Sequence, residues 1–171
     1  MSDDKNTCRS PLAVTPRRIE WAAVGNPFLL DAPLLVSVRI STKAPPEVID
    51  GLAAKITAKA ERGAVIVSPW ISPGEKTVKR NVVERGGRIV QLLPEGMGQY
   101  YKPGGFDFER CAEGRMLILS PFAPRRDGAA RENYGKARFE WLNLAARAMG
   151  DLAIGISRAQ LAKGRHGKDN P

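Results

Sequence analysis

The densest set of groups able to act on a ligand lies in Val65-Ile66-Val67-Ser68-Pro69-Trp70-Ile71-Ser72-Pro73-Gly74-Glu75. An apolar strand ending at Ser68, a turn, and a helix opening at Ser72 would set unsatisfied backbone amides beside a sheet end, where phosphate is favoured. Ser68, Ser72 and the amides of Trp70, Ile71, Gly74 and Glu75 are the candidate donors. Trp70 is a candidate stacking surface for a base, an interaction worth about 1–3 kcal/mol. Pro69 and Pro73 lack amide hydrogens, and Glu75 brings negative charge into the same turn. An ordinary capped helix without a ligand accounts for the same residues.

Two further clusters carry similar chemistry. Tyr100-Tyr101-Lys102-Pro103 sets aromatic rings beside a cation, and Arg125-Arg126 follows Ser120-Pro121-Phe122, where paired guanidiniums suit phosphate. For acid–base work the candidates are Glu75, Glu95, Asp107, Glu109 and Glu113, and their spacing singles out no pair. The one histidine is His166, and Cys8 and Cys111 form no CxxC pair. A histidine-based metal site, a Ser–His triad and a Cys–His pair are therefore not expected. There is no P-loop and no GxGxxG fingerprint. No catalytic residue, metal ligand or cofactor is assigned.

The elements that would position these groups follow from hydrophobic period and punctuation. Residues 1–15 are polar and aperiodic and are expected to be flexible. Thr15 and Pro16 can open a short helix running to about Val24, stopped by Gly25-Asn26-Pro27. Apolar runs at Leu34–Ile40, Ala64–Ser68, Arg88–Leu93, Arg115–Ser120 and Leu152–Ile156 read as five strands. Between them, Pro46–Arg62 is amphipathic, and Ser72-Pro73-Gly74-Glu75 is a capping-box start for a helix ending near Gly86-Gly87. Phe106–Ala112 and Ala130–Met149 also read as helices. Strands alternating with helices predict an α/β, Rossmann-like doubly wound domain over 16–157, its mainly parallel sheet of about five strands carrying helices on both faces. Residues 158–171 read as a basic, mobile tail.

Composition sets the outer bounds. The chain has 171 residues, 43% hydrophobic and 26% charged, which suits one globular domain. No run of about 18 apolar residues is present, so no membrane-spanning helix and no membrane partner is expected. A cytoplasmic setting is the simplest reading. Lys and Arg number 27 against 18 Asp and Glu, a net charge of +9, which favours polyanionic partners. Much of that excess follows Ala123, where a solvated tail explains it equally well.

The order of these segments resembles the Rossmann-like domain of the DNA-processing protein A (DprA/Smf) family, within the SLOG group. Gly25-Asn26-Pro27-Phe28-Leu29-Leu30 is similar to the family's segment before its first strand. Val65–Ser68, Gly74-Glu75 and Arg85-Gly86-Gly87-Arg88-Ile89-Val90 follow its "VSG…G-D…H…GGRTIAV" course. Pro94–Met97 through Tyr101–Pro103 stands at its "G-GLD…YP", and Asn143–Ala148 with Asp151–Ile154 at its "RN…IAGLS" helix and next strand. The departures are specific. The family's Gly-Ser-Arg falls on Arg39-Ile40-Ser41, its glycine after Ser68 is Pro69, its helix histidine falls on Lys79, and its arginine before the helix asparagine is Leu142. The family's later Gly-Ser-rich segment and last sheet elements have no counterpart, which reads as a short, divergent branch.

The resemblance implies a non-enzymatic domain binding single-stranded DNA at the strand ends, with a recombinase as a family partner and a second copy of the chain as a further candidate. In that reading Arg39, Lys43, Lys79, Arg125 and Arg126 contact phosphates and Trp70 or Tyr101 stacks. The alternative is a small-nucleotide sensor or hydrolase of the SLOG group using the crevice around Ser68–Glu75.

Overall fold

The computed structural model describes residues 20–124 and 135–166. Leu35–Ile40 forms strand β2, and its side chains alternate between two apolar layers. Val36, Val38 and Ile40 face one core, while Leu35 faces the other. A strand covered on both faces reads as a continuous apolar run, which is why no polar alternation is visible here. Val65–Ser68 (β3), Arg88–Leu92 (β4) and Met116–Ser120 (β5) behave in the same way.

Helices α1 (Pro46–Glu61), α2 (Pro73–Glu84) and α3 (Gly105–Ala112) connect these strands. Ala53, Ile56 and Ala60 of α1 and Val78 and Val82 of α2 pack on the first layer with Ile66, Ile89, Met116 and Ile118. The opposite face is covered by α4 (Lys136–Met149), through Leu142, Ala145, Ala146 and Met149, and by a 3-10 turn at Pro27–Asp31. Helices on both faces of a largely parallel sheet give the doubly wound α/β architecture that the alternating pattern predicts.

The sheet has the order β1-β5-β4-β3-β2-β6, where β6 is Leu152–Ile156. From β2 the chain steps outward through β3, β4 and β5. It then returns across the other face by α4 and lays β6 parallel on the free side of β2, Val36 opposite Leu152 and Ile40 opposite Ile156. The direction of winding therefore reverses between β2 and β6, and a ligand crevice belongs at the carboxyl ends of those two strands.

Two expectations need correction. Ala22–Gly25 is not the end of a helix opened by Thr15-Pro16; it is a strand, β1, antiparallel to β5, with Ala22 opposite Ser120 and Gly25 opposite Leu117. The pairing supplies the hydrogen bonds that local sequence does not, and the sheet has six strands. Residues 15–19 lie outside the described residues, as do 130–134 of the expected fourth long helix. Arg158–His166, expected in a tail, forms helix α5. It opens at a reciprocal pair in which the Ser157 amide donates to Gln160 Oε1 and the Gln160 amide to Ser157 Oγ.

Candidate functional site

At the β2–β6 reversal lies an open crevice of about 590 Å³. Arg39, Ser41 and Thr42 enter it from the end of β2, Ser72 and Glu75 from α2, Asn143 from α4, and Ser157 and Arg158 from the end of β6. The Ser41 amide donates to the Ile156 carbonyl at 2.9 Å, extending the β2–β6 ladder into the rim. A Cβ at Gly155 would collide with the Arg39 carbonyl oxygen, so only glycine permits this approach of β6. A second, smaller crevice of about 300 Å³ shares Arg39, Asn143 and Ser157, which places Asn143 between the two. Its Oδ1 is buried and finds no donor among the described residues. An amide oxygen in that state suits a donor brought by a ligand or water.

The charges around the crevice are mixed. Arg39, Lys136 and Arg158 supply positive charge, and Glu75 and Glu140 oppose it. Lys136 and Glu140 form an exposed pair at 3.6 Å, one turn apart on α4. Arg39 is exposed, and Lys43 lies just beyond the rim, its amide donating to Ser41 Oγ at 3.2 Å.

The amino end of α2 is closed by the protein itself. Ser72 Oγ accepts from the Glu75 amide at 3.1 Å, and Glu75 Oε2 accepts from the amides of Ser72 at 3.3 Å and Ile71 at 2.7 Å. This is the capping box expected from Ser72 and Glu75. Glu75 Oε1 also takes the Ile40 amide at 3.0 Å. The carboxylate thus stands where the sequence offered a phosphate site. Burial pushes the Glu75 carboxyl above the ordinary carboxylate range, and its three amide donors and the Arg39 charge only partly offset that. Gly74 serves packing, since a Cβ there would come within 2.6 Å of Ile40 Cγ2.

Ser68 and Trp70 are also turned inward. Ser68 is buried and its Oγ accepts from the Trp70 amide at 3.0 Å. Trp70 is 4% exposed, packs in the layer that holds Met97 and Val78, and has a φ of 54°. Its ring face meets protein, and its Nε1 finds no acceptor among the described residues.

Lys79 and Tyr101 sit on a different part of the surface. Lys79 Nζ donates to Gln91 Oε1 at 2.6 Å and pairs with Asp107 at 3.2 Å, joining α2, β4 and α3. Burial, with the Glu95 and Asp107 charges, pushes the Tyr101 phenol up; burial and Asp107 likewise raise the thiol of Cys111, which is free. That keeps the thiol protonated, the less nucleophilic form. The loop after β5 leaves the sheet three strands from β2, about 14 Å away at the usual strand spacing. Arg125 and Arg126 lie outside the described residues. Among the described residues no group of acidic, histidine and cysteine side chains could hold a metal, and no helix is long and apolar enough to cross a membrane.

Sequence reasoning missed Asn143, Ser157 and Arg158, because it drew its site residues from the ends of other elements and took none from α4 or from the chain just after β6. The asparagine did carry a signal, standing at the family's helix motif. What sequence could not give was the placement of β6 beside β2.

The sheet order, the reversal at β2 and β6 and the helices on both faces define a Rossmann-like, doubly wound α/β domain. More particularly, the fold is similar to that of part of DNA processing protein A. The structure is similar to DNA processing protein A from Helicobacter pylori, a structure described for its single-stranded DNA binding mode, with a TM-score of 0.62 and 21% identity over 85% of this chain. It is also similar to DNA processing protein A (DprA) from Streptococcus pneumoniae, with a TM-score of 0.59 and 20% identity over 79% of this chain. The chain spans 64% and 45% of those two proteins. No protein-family model and no curated protein matches the sequence.

Proposed function

We propose that the chain binds single-stranded DNA, with the crevice between β2 and β6 as the primary contact. The observation that carries this reading is the crevice at the point where the winding reverses, edged by Arg39, Lys136 and Arg158 and lined by Ser41, Thr42, Ser157 and the unpartnered Asn143 oxygen. Cations of this kind contact phosphates, and hydroxyls and an amide oxygen meet sugars and base edges. The likeness in fold to a protein described as binding single-stranded DNA supports the choice of ligand. Lys43 extends the basic rim, and Arg125 and Arg126, expected as phosphate contacts, lie outside the described residues. Neither Trp70 nor the amides that Ser72 and Glu75 already hold at the amino end of α2 belong to the contact set.

A small nucleotide in the same crevice is the second reading, favoured by Asn143 Oδ1, an acceptor fit for a single base or ribose donor. Titration of a labelled oligothymidylate at two salt concentrations tests the first. Binding that weakens with salt, with a log–log slope reduced by about 0.7 when Arg39→Gln removes one phosphate contact, is the expected result. No binding at low salt, with a mononucleotide raising the melting temperature instead, would favour the second.

A further inference from the structure

Outside the crevice, α2 and α3 bound an open groove of about 430 Å³. Lys76, Lys79 and Arg80 fall on one stripe of α2, three and four residues apart, and Phe106 and Arg110 on one stripe of α3. Asp107 and Glu84 are the only carboxylates lining it, and Asp107 is held by Lys79 at 3.2 Å. Among the described residues, the side chains of Lys76, Arg80 and Arg110 have no ion-pair or hydrogen-bond partner, so with Glu84 as the one carboxylate not held by Lys79 the groove keeps a net positive charge. Phe106 is 75% exposed, on a helix that fully buries none of its residues. A single exposed phenylalanine is ordinary on a protein surface. One standing among three unpaired cations has the composition of a track for unstacked nucleotides, whose bases stack on rings while their phosphates meet cations.

The groove shares no lining residue with the crevice, but it begins close to it along α2. Ser72 lines the crevice, and Lys76 lies one turn further along α2, about 6 Å at the helical rise. A strand leaving the crevice over Pro73 would meet Lys76, then Arg80, with Phe106 facing them from α3. We propose that the α2–α3 groove is a second track for single-stranded DNA, engaged when the strand is too long for the crevice alone. This rests on the reading of the crevice as a DNA contact. It assigns Lys76, Arg80 and Arg110 to phosphates and Phe106 to stacking.

The test measures binding of oligothymidylates of about 6 and about 20 nucleotides at low salt, lengths chosen around the site sizes of single-strand-binding folds. The double variant Lys76→Glu with Arg80→Glu is expected to bind the long strand about tenfold more weakly, with the salt slope shallower by about 1.4, while short-strand affinity changes less than about twofold. Phe106→Ala is expected to weaken the long strand about fivefold with the slope unchanged. Long-strand affinity unchanged in both variants, while the wild type still binds, overturns the groove and leaves the crevice standing. Equal loss of both lengths also overturns it, since the residues would then belong to the crevice contact. A wild type that binds neither strand overturns the crevice reading and the groove with it. If polyglutamate of matched charge displaces the long strand as well as unlabelled DNA does, the groove is a site for an acidic protein segment and the proposal fails.

Discussion

Glu75 Oε1 accepts the backbone amide of Ile40 at 3.0 Å, tying the first turn of α2 to the carboxyl end of β2. The same carboxylate holds the amides of Ile71 and Ser72 with its other oxygen. A single side chain therefore satisfies donors on a strand, a turn and a helix cap, and its removal orphans all three. It also fixes the wall of the crevice that carries Arg39 on one side and Ser72 on the other.

Glu75→Ala should accordingly destabilise the fold by about 2–5 kcal/mol, as buried amides lose their acceptor. The pH dependence has a definite sign. Because the folded-state pKa is raised, the folded protein holds this proton more tightly than the unfolded chain. The associated stabilisation is full below the ordinary carboxylate pKa and is lost as pH rises through the folded value. Glu75→Gln removes that titration but can keep only one oxygen acceptor, so it should be less stable yet show a flatter stability profile. Urea denaturation of both proteins from about pH 5 to about pH 8 checks this, the wild type losing more stability across the range.

The capping box was legible because Ser72, Pro73 and Glu75 act within one turn, where local chemistry decides. The third acceptor role of Glu75 was not, since it depends on the end of β2, 35 positions away. The same distinction separates the strands. Five apolar runs marked five strands, whereas β1 is a four-residue edge whose pairing with Met116–Ser120, distant in sequence, no local pattern marks. The crevice was half legible: Arg39 and Ser72 stood at the ends of readable elements, but Asn143, Ser157 and Arg158 reach it only through the placement of β6 beside β2.

Trp70 separates burial from binding. Its indole is enclosed, so Trp70→Ala should cost about 3–5 kcal/mol, measured by chemical denaturation. Trp70→Phe keeps a buried ring and removes the Nε1 hydrogen that has no acceptor among the described residues. Removing an unsatisfied donor offsets part of the lost packing, and the net cost should stay below about 1.5 kcal/mol. In Trp70→Phe, oligonucleotide affinity should remain that of the wild type, because the indole is not presented to the crevice. A large affinity loss in a folded Trp70→Phe protein would show that the ring turns outward on binding.

The Lys79–Asp107 pair stitches α2 to α3 and is partly shielded, with side-chain exposures of 22% and 32%. A double-mutant cycle with Lys79→Met and Asp107→Asn should give a coupling of about 0.5–1 kcal/mol, toward the upper part of the range for exposed pairs. Asp107→Asn alone removes a negative charge from the groove and leaves the ammonium's charge unpaired, bonded to Gln91 Oε1. In the two-track reading it should tighten binding of a long oligonucleotide about two- to fivefold while lowering stability slightly, so the two effects have opposite signs. Affinity that falls along with stability would contradict that assignment.

Two glycines make the last prediction, and they point in opposite directions. Gly155 lies opposite Arg39 in the β2–β6 pairing, where an added methyl meets the Arg39 carbonyl oxygen rather than a flexible side chain. Backbone cannot yield as a side chain does, so Gly155→Ala should cost about 1–3 kcal/mol. Since β6 must shift from β2 to accommodate it, oligonucleotide affinity should fall in the protein that remains folded. Gly51 sits mid-helix in α1 with nothing within 4 Å of its absent Cβ. There, Gly51→Ala trades a flexible unfolded chain for a better helix former and should stabilise by about 0.5–1 kcal/mol with affinity unchanged. Thermal melts and oligonucleotide titrations on the two variants read both effects. If Gly155→Ala left stability and binding intact, the close approach of β6 to β2 would have no bearing on the crevice.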